Sequence, residues 1–158
     1  PLFARKPQHA IDFGINNLAK CFDGLDNEKI EKITHICCGY PDKIDAVDYP
    51  KAPLDSYHKI ASLLDQSIID TVSLEDAHRY NDLSLLESFS KTKIIFGLIK
   101  IASSEKETIQ EIQSRVEEAL KHISKEKLIA APDCGLGHLP RDIAKYKLST
   151  MVEAVKDY

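Results

Sequence analysis

The sequence lacks any apolar run near the roughly 18 residues that a membrane-spanning helix needs. It also lacks a strong charge excess, and a formal net charge of −4 gives no reason to expect a nucleic-acid or anionic-membrane partner. The opening PLFARKP has no apolar segment of a secretion signal, so we expect a cytoplasmic protein. Because an initiator methionine is also missing, we expect the N-terminus to be processed or cut from a longer chain.

Cysteine is scarce, with four residues, at positions 21, 37, 38 and 134. An even count permits two disulfides, but adjacent cysteines seldom bridge each other, and the chain is not a short, loop-rich secreted sequence. In a reducing cytoplasm, clustered Cys and His residues more often bind metal or carry out chemistry. We expect Cys21, near the apolar face of the first helix, and Cys38 to be packing residues.

The 158 residues show no low-complexity tract or composition shift, which predicts a single domain over residues 1–158. Short β-branched runs recur at a spacing of about 25–40 residues, the length of a βα unit. These predicted strands cover residues 30–37, 68–74, 93–99 and 127–131. Since they are mostly apolar without clean alternation, they indicate a parallel sheet in an α/β fold. A complete (β/α)8 barrel needs about 200–250 residues, so this pattern fits either a small open sheet or half of a barrel.

Helical periodicity separates the strands. Predicted helices lie over residues 11–22, 109–123 and 143–155, and shorter ones near residues 54–64 and 82–89. Ser104 and Glu107 have the spacing of a capping box at the start of the helix predicted over residues 109–123. Pro140 suits the first position of the last helix, whose inner side should include Met151 and Val152.

Potential metal ligands follow three of the predicted strands, at the end where parallel α/β proteins place their active sites. His35 and Cys37 are two residues apart in the first strand, so they point to the same face, whereas Cys38 points to the other. Glu75 closes the second strand, where a buried carboxylate is costly without a partner. Cys134 opens the Gly-rich loop after the fourth strand.

One histidine, two cysteines and one glutamate form a donor set that suits tetrahedral Zn²⁺ better than Mg²⁺ or Ca²⁺. A zinc-bound thiol is a thiolate at neutral pH and can attack an electrophilic carbon, and a glutamate is the ligand we expect to give way to it. The same residues also fit a structural interpretation, because free Cys often packs as a small hydrophobe and Glu75 can pair with Lys or Arg. His78 and His138 are candidates for roles beside the site; His9, His58 and His122 are expected to be solvated.

The segments THICCGYPD, DTVSLEDAH, IIFGLIKIASSEKETIQEI and KLIAAPDCGL resemble the C-terminal catalytic region of cobalamin-independent methionine synthase, especially its shorter single-barrel relatives. The similarity covers nearly the whole chain, with the motifs in the family's order. It implies a (β/α)8 TIM barrel of which this chain supplies the C-terminal half, about four βα units. It also implies that Zn²⁺ held by His35, Cys37, Glu75 and Cys134 binds homocysteine, whose thiolate takes the methyl group of 5-methyltetrahydrofolate.

Three departures from the family's pattern bear on the substrates. The family usually carries a D-E-P segment whose acidic residues serve the substrate site, and PLFAR at residues 1–5 looks like its continuation, so we expect this acidic pair upstream of Pro1. Larger members have a D-I-H segment where residues 100–102 read KIA, which leaves the methyl donor open between methylfolate and a methylcorrinoid. An insert around residues 41–60 is expected to reshape the mouth of the site.

The sequence therefore predicts a cytoplasmic, zinc-dependent methyltransferase that converts homocysteine to methionine and has no nucleic-acid or membrane partner. The alternatives are a related barrel that alkylates or dealkylates another thiol such as coenzyme M, a non-catalytic α/β module with structural zinc, and an inactive fragment. Half a barrel would leave two strand edges unpaired, and these are expected to support association.

Overall fold

The computed structural model describes residues 7–25 and 29–158, and its centre is one parallel β-sheet. The strands are β1 (Ile33–Ile36), β2 (Thr71–Leu74), β3 (Lys93–Ile99) and β4 (Leu128–Pro132). Their order in the sheet is β1-β2-β3-β4, and every neighbouring pair is parallel. The predicted α/β fold with four parallel strands is thus confirmed, although β1 and β2 begin three residues later than their apolar runs.

Helices form the connections. An N-terminal helix, α1, joins three consecutive segments, Pro7–His9, the π-helical Ala10–Gly14, and Ile15–Lys20. The later helices are α2 (Ser56–Gln66), α3 (Ile109–Ala119) and α4 (Arg141–Val155), with 3₁₀ turns at Leu83–Ser88 and Lys125–Lys127. Gly24 follows α1 with a φ of 80°, a left-handed conformation that a glycine adopts without strain and that suits a helix end.

Two predicted helix starts are wrong. The capping box of α3 is formed by Thr108 and Glu111, because residues 103–107 are not helical and Glu107 instead accepts a hydrogen bond from Lys100 N. Pro140 is the N-cap of α4 rather than its first helical residue, since its ψ of 145° is extended.

Two predicted packing residues are also wrong. Cys21 is exposed, with its thiol donating to Asn17 O, so it does not pack in the core. In α4 the helix turns Val152 outward, to 60 % exposure, and buries Lys147 instead.

The two faces of the sheet have different surroundings. Val72, Leu74, Ile94 and Phe96 belong to the buried core, which also contains apolar residues of α2, α3 and α4. The opposite face carries four residues, one from each strand, that pair in register across the sheet: His35, Ser73, Ile95 and Ile129. This second face is open to solvent, and Ile33 and Ile129 on the outer strands are 48 % and 41 % exposed. In the described ranges, no helix is long and apolar enough to cross a membrane.

Candidate metal centre

Three of the four predicted ligands meet at the carboxyl end of the sheet. Ligand atoms of His35, Cys37 and Cys134 lie within 4.8 Å of one another. Strand alternation brings His35 and Cys37 to the open face, and Cys134 arrives from the loop after β4. Cys38 is 5 % exposed and belongs to the core, as its place on the other face predicts.

The distance between the two sulfur atoms fits a shared zinc ion. Cys37 Sγ and Cys134 Sγ are 3.8 Å apart. Two thiolates bound to tetrahedral zinc at about 2.3 Å would be separated by about 3.8 Å. The donor set of two sulfurs and one imidazole nitrogen is also one that zinc prefers. The residues present therefore fit the metal that the sequence implies.

A serine on the neighbouring strand orients the imidazole of His35. Its Nδ1 lies 2.8 Å from Ser73 Oγ. When Nδ1 donates its proton to this hydroxyl, the Nε2 lone pair is free to bind a metal, as outer partners of metal-binding histidines commonly arrange. Sequence reasoning missed Ser73, for which the available signal was a polar residue inside an apolar strand. The structure pairs it in register with His35.

The surroundings of Cys37 favour its neutral thiol in the absence of a cation. Desolvation of the sulfur raises the pKa of Cys37, and the nearby Cys134 thiol adds to this shift. Desolvation likewise lowers the pKa of His35, so its imidazole is neutral and able to act as a ligand near neutral pH. A divalent cation would oppose this shift at Cys37, because metal binding favours the thiolate and releases the thiol proton.

Glu75, the fourth predicted ligand, lies outside this group of three. Its Oε1 accepts a hydrogen bond from Cys38 N at 2.8 Å, and its Oε2 accepts one from Lys51 Nζ at 3.0 Å. Tyr57 links the ends of β1 and β2, because its hydroxyl donates to Ile36 O and accepts from Glu75 N. Coordination of a metal by Glu75 stays a prediction.

Asp133, which sequence reasoning did not assign, fastens the loop of β4 to the end of β2. Its fully buried carboxylate accepts hydrogen bonds from three successive backbone amides, those of Asp76, Ala77 and His78, at 2.8–2.9 Å. Burial raises the pKa of Asp133 to about 7, although the three donors oppose that shift. The carboxylate passes over Gly97 in β3, where a Cβ atom would lie 1.9 Å from Asp133 Oδ1.

A second buried carboxylate, that of Asp76, anchors the segment that follows β2. Asp76 is fully buried and receives two parallel hydrogen bonds from Arg115 of α3, at 2.7 and 2.8 Å. Asn81 donates to the same carboxylate and to Glu75 O. Such a bidentate pair fixes the orientation of the two side chains in addition to pairing their charges, so the end of β2 is held against α3.

Of the two histidines considered for roles beside the site, His78 makes structural hydrogen bonds. His78 Nε2 accepts hydrogen bonds from Ile101 N and Ala102 N, at 2.9 and 3.0 Å, within the stretch where larger relatives carry D-I-H. Burial, with nearby lysines, lowers the pKa of His78 to about 4. His138 is exposed. His9 and His58 are exposed as predicted, and His122 pairs with Glu87 near the surface.

Comparison with known proteins identifies the family. The sequence model of the cobalamin-independent synthase catalytic domain matches residues 30–157. This chain belongs to the cobalamin-independent methionine synthase family. Among curated relatives in this family, the methionine synthase of Methanocaldococcus jannaschii is 34 % identical over 108 residues, 63 % of this chain and 35 % of that protein. The methionine synthase of Saccharolobus islandicus is 28 % identical over 148 residues, 92 % of this chain and 39 % of that protein.

A solved structure of the same family agrees with the fold. It is that of a B12-independent methionine synthase from Shewanella sp. W3-18-1 in complex with selenomethionine, and it matches with a TM-score of 0.82 at 28 % identity. The match covers 99 % of this chain and 46 % of that one. The chain thus spans less than half the length of the relatives compared with it here.

Proposed function

We propose that this chain carries the metal centre of a zinc-dependent methyltransferase that methylates homocysteine to methionine. The methyl donor is 5-methyltetrahydrofolate or a methylcorrinoid. The observation that carries the proposal is the separation of 3.8 Å between Cys37 Sγ and Cys134 Sγ, with His35 beside them, at the carboxyl end of a parallel sheet. Family membership supports the reaction class.

The residues around the metal have distinct parts in this function. His35, Cys37 and Cys134 would hold the zinc, which lowers the pKa of a bound thiol so that it reacts as a thiolate. Ser73 orients the imidazole, and Asp133 fixes the loop that carries Cys134. Glu75 is proposed as the exchangeable fourth ligand. Its carboxylate accepts hydrogen bonds from Cys38 N and Lys51 Nζ. The Shewanella relative was solved with selenomethionine, an analogue of the methylated product, which supports a methionine-sized ligand in this family.

We further propose that the chain forms the C-terminal half of a (β/α)8 barrel. Its strands follow one another in sequence order, whereas a doubly wound sheet reverses its order at a switch point. Its second face, with Ile33 and Ile129 exposed, would become the barrel interior once four further βα units closed the sheet. The acidic pair expected upstream of Pro1 would belong to those units, and residues 1–5 lie outside the described part of the chain.

The test measures methyl transfer by the whole protein that the gene encodes, loaded with zinc. Homocysteine and coenzyme M are each offered with methylfolate or methylcobalamin, and the product is identified by mass spectrometry. We expect methionine from homocysteine with one of the two donors, and loss of the product in Cys37→Ser. Methylation of coenzyme M alone, or a zinc site that no thiol enters, would contradict the proposal and favour the other thiol substrate or a structural zinc.

A further inference from the structure

The insert contains a loop that closes on itself beside the metal centre. This insert loop, residues 38–52, has no helix or strand and directly follows Cys37. Ala52 N donates to Cys38 O at 3.0 Å, so the two ends of the loop meet. Both end residues lie in the hydrophobic core, at 3 % and 5 % exposure, which fixes the base of the loop. Long loops with joined ends are usually functional in compact domains.

A single residue holds the tip of the insert loop. Asp45 N donates to Ala102 O at 2.9 Å, and the Asp45 carboxylate accepts from Ser104 N at 2.6 Å and from Ser104 Oγ at 2.7 Å. The φ of Asp45 is 63°, and in the described ranges it is the only non-glycine residue with a positive φ. Aspartate tolerates this left-handed conformation better than most residues do, but contacts must still hold it. The three hydrogen bonds to Ala102 and Ser104 supply those contacts.

The segment that receives Asp45 is fixed from its other side. His78 Nε2 accepts hydrogen bonds from Ile101 N and Ala102 N. Lys147 Nζ donates to Lys100 O, and this lysine is fully buried. Ile101 and Ala102 are 1 % and 2 % exposed, whereas Asp45 is exposed to solvent. The segment after β3 is therefore the anchor of this contact, and the insert loop is the partner that is able to move.

Between its base and its tip, the insert loop passes the metal centre. Tyr40 packs edge-on against His78, with ring centroids 5.7 Å apart. Burial raises the pKa of Tyr40, and nearby Glu75 and Cys134 raise it further, so the ring lies close to the proposed ligands. The loop thus runs from the end of β1, past the segment after β2, to the segment after β3. These three strands are neighbours in the sheet, so the loop spans their carboxyl ends.

We propose that the insert loop is a lid at the metal centre and that Asp45 is the latch that holds it closed. Opening breaks the exposed hydrogen bonds of Asp45 and leaves the bond between Cys38 and Ala52 as a hinge. The outer side of the loop meets solvent, with Val47 97 % exposed, so opening disturbs no core packing there. The open lid admits homocysteine to the metal centre, and the closed lid keeps water from the thiolate. The identity of this ligand rests on the proposed function, whereas the latch does not.

Hydrogen exchange followed by mass spectrometry on the whole encoded protein measures opening of the latch. Asp45→Gly removes both side-chain acceptors, and glycine adopts a positive φ without strain. Amides of the insert loop should exchange about tenfold faster in this variant, the factor that one or two hydrogen bonds represent. Ser104→Ala should give a smaller increase and add little to Asp45→Gly in the double variant, because both changes break the same contact.

Asp48→Gly is the matched control, because it places the same substitution in the same loop. The carboxylate of Asp48 is exposed and has no hydrogen-bond partner among the described residues. Exchange of the insert loop in this variant should stay within about twofold of the native rate. If Asp45→Gly does not fold, as circular dichroism would show, Ser104→Ala compared with the native protein decides the matter.

Homocysteine supplies the second readout, since a loop that is only structural would not respond to it. With Zn²⁺ bound, homocysteine should slow exchange of the insert loop in the native protein and slow it less in Asp45→Gly. The same variant should raise the KM for homocysteine several-fold, because a smaller share of the protein is then in the closed form. Its zinc affinity should be unchanged.

The outcomes separate this inference from the proposed function. No zinc binding by the native protein would defeat both. Equal exchange in Asp45→Gly and Asp48→Gly would defeat the latch. Exchange that homocysteine does not change, in a native protein that binds both zinc and the thiol, would defeat the lid while leaving the metal centre intact.

Discussion

Replacement of Gly97 by alanine tests how the ligand-bearing strand ends are held together. Gly97 lies in β3 directly beneath the carboxylate of Asp133. An added Cβ would lie 1.9 Å from Asp133 Oδ1 and 2.9 Å from its Cα, distances that real Cβ atoms do not show. Because the Cα belongs to the backbone, rotation of the side chain alone cannot relieve the contact. The loop that carries Cys134 must move away from β3.

The cost follows from what that movement breaks. Overpacking a well-packed core costs about 1–3 kcal/mol. Withdrawal of Asp133 also removes charge-assisted hydrogen bonds to the amides of Asp76, Ala77 and His78, and each is worth about 1.5–3 kcal/mol. With at least one of the three lost, we expect Gly97→Ala to lower the free energy of unfolding by about 2.5–6 kcal/mol, a large share of the roughly 5–15 kcal/mol of a typical domain.

Urea denaturation followed by circular dichroism measures this change, and a zinc titration measures its effect on the site. Gly135→Ala is the control in the same loop, since nothing lies within 4 Å of its added Cβ. Its effect should stay within about 0.5 kcal/mol. A loss below about 1 kcal/mol in Gly97→Ala, with unchanged zinc affinity, would refute the role assigned to the Asp133 contact.

Three further predictions address the ligands, the buried ion pair and pH. Cys134→Ser should lower zinc affinity by more than about a hundredfold, which exceeds the loss expected when a residue that only supports a ligand is replaced. Cys21→Ser, at an exposed cysteine, should leave zinc affinity unchanged, and a chelator competition measures both variants. Arg115→Met leaves the buried Asp76 without its bidentate partner and should cost about 3–5 kcal/mol in urea denaturation, against about 0–1 kcal/mol for Lys59→Met. Burial lowers the pKa of folded His78 to about 4, below the 6.5 of an unfolded histidine, so the unfolded chain takes up the proton first. Native stability should therefore fall as pH drops from 6.5 towards 4, and His78→Gln should lose less over that window; equal losses would count against this origin.

Much of the fold was predictable because it depends on local patterns. The four β-branched runs predicted the strands, and their lack of alternation predicted parallel pairing, which the structure confirms. The period-two geometry of a strand was enough to separate Cys37 from Cys38 and to pair it with His35, as the structure places them. Cys134 was predictable only because parallel strands end at one edge.

The remainder depends on contacts between distant residues. Asp133 is adjacent to a predicted ligand, but its carboxylate reaches the amides that follow β2 only because Gly97 leaves room for it. The glycine inside an apolar strand was the available signal for a close approach. Lys51 reaches Glu75 through an insert whose path no periodicity describes. The burial of Lys147 was equally hidden, since its partners, Lys100 O and Glu107, lie in a loop 40 or more residues away.

Zinc K-edge X-ray absorption on the whole encoded protein tests the central claim most directly. The account predicts bound zinc with two sulfur neighbours at about 2.3 Å, those of Cys37 and Cys134, and a third sulfur when homocysteine is added. Absence of zinc, or a sulfur count that homocysteine does not change, would contradict it.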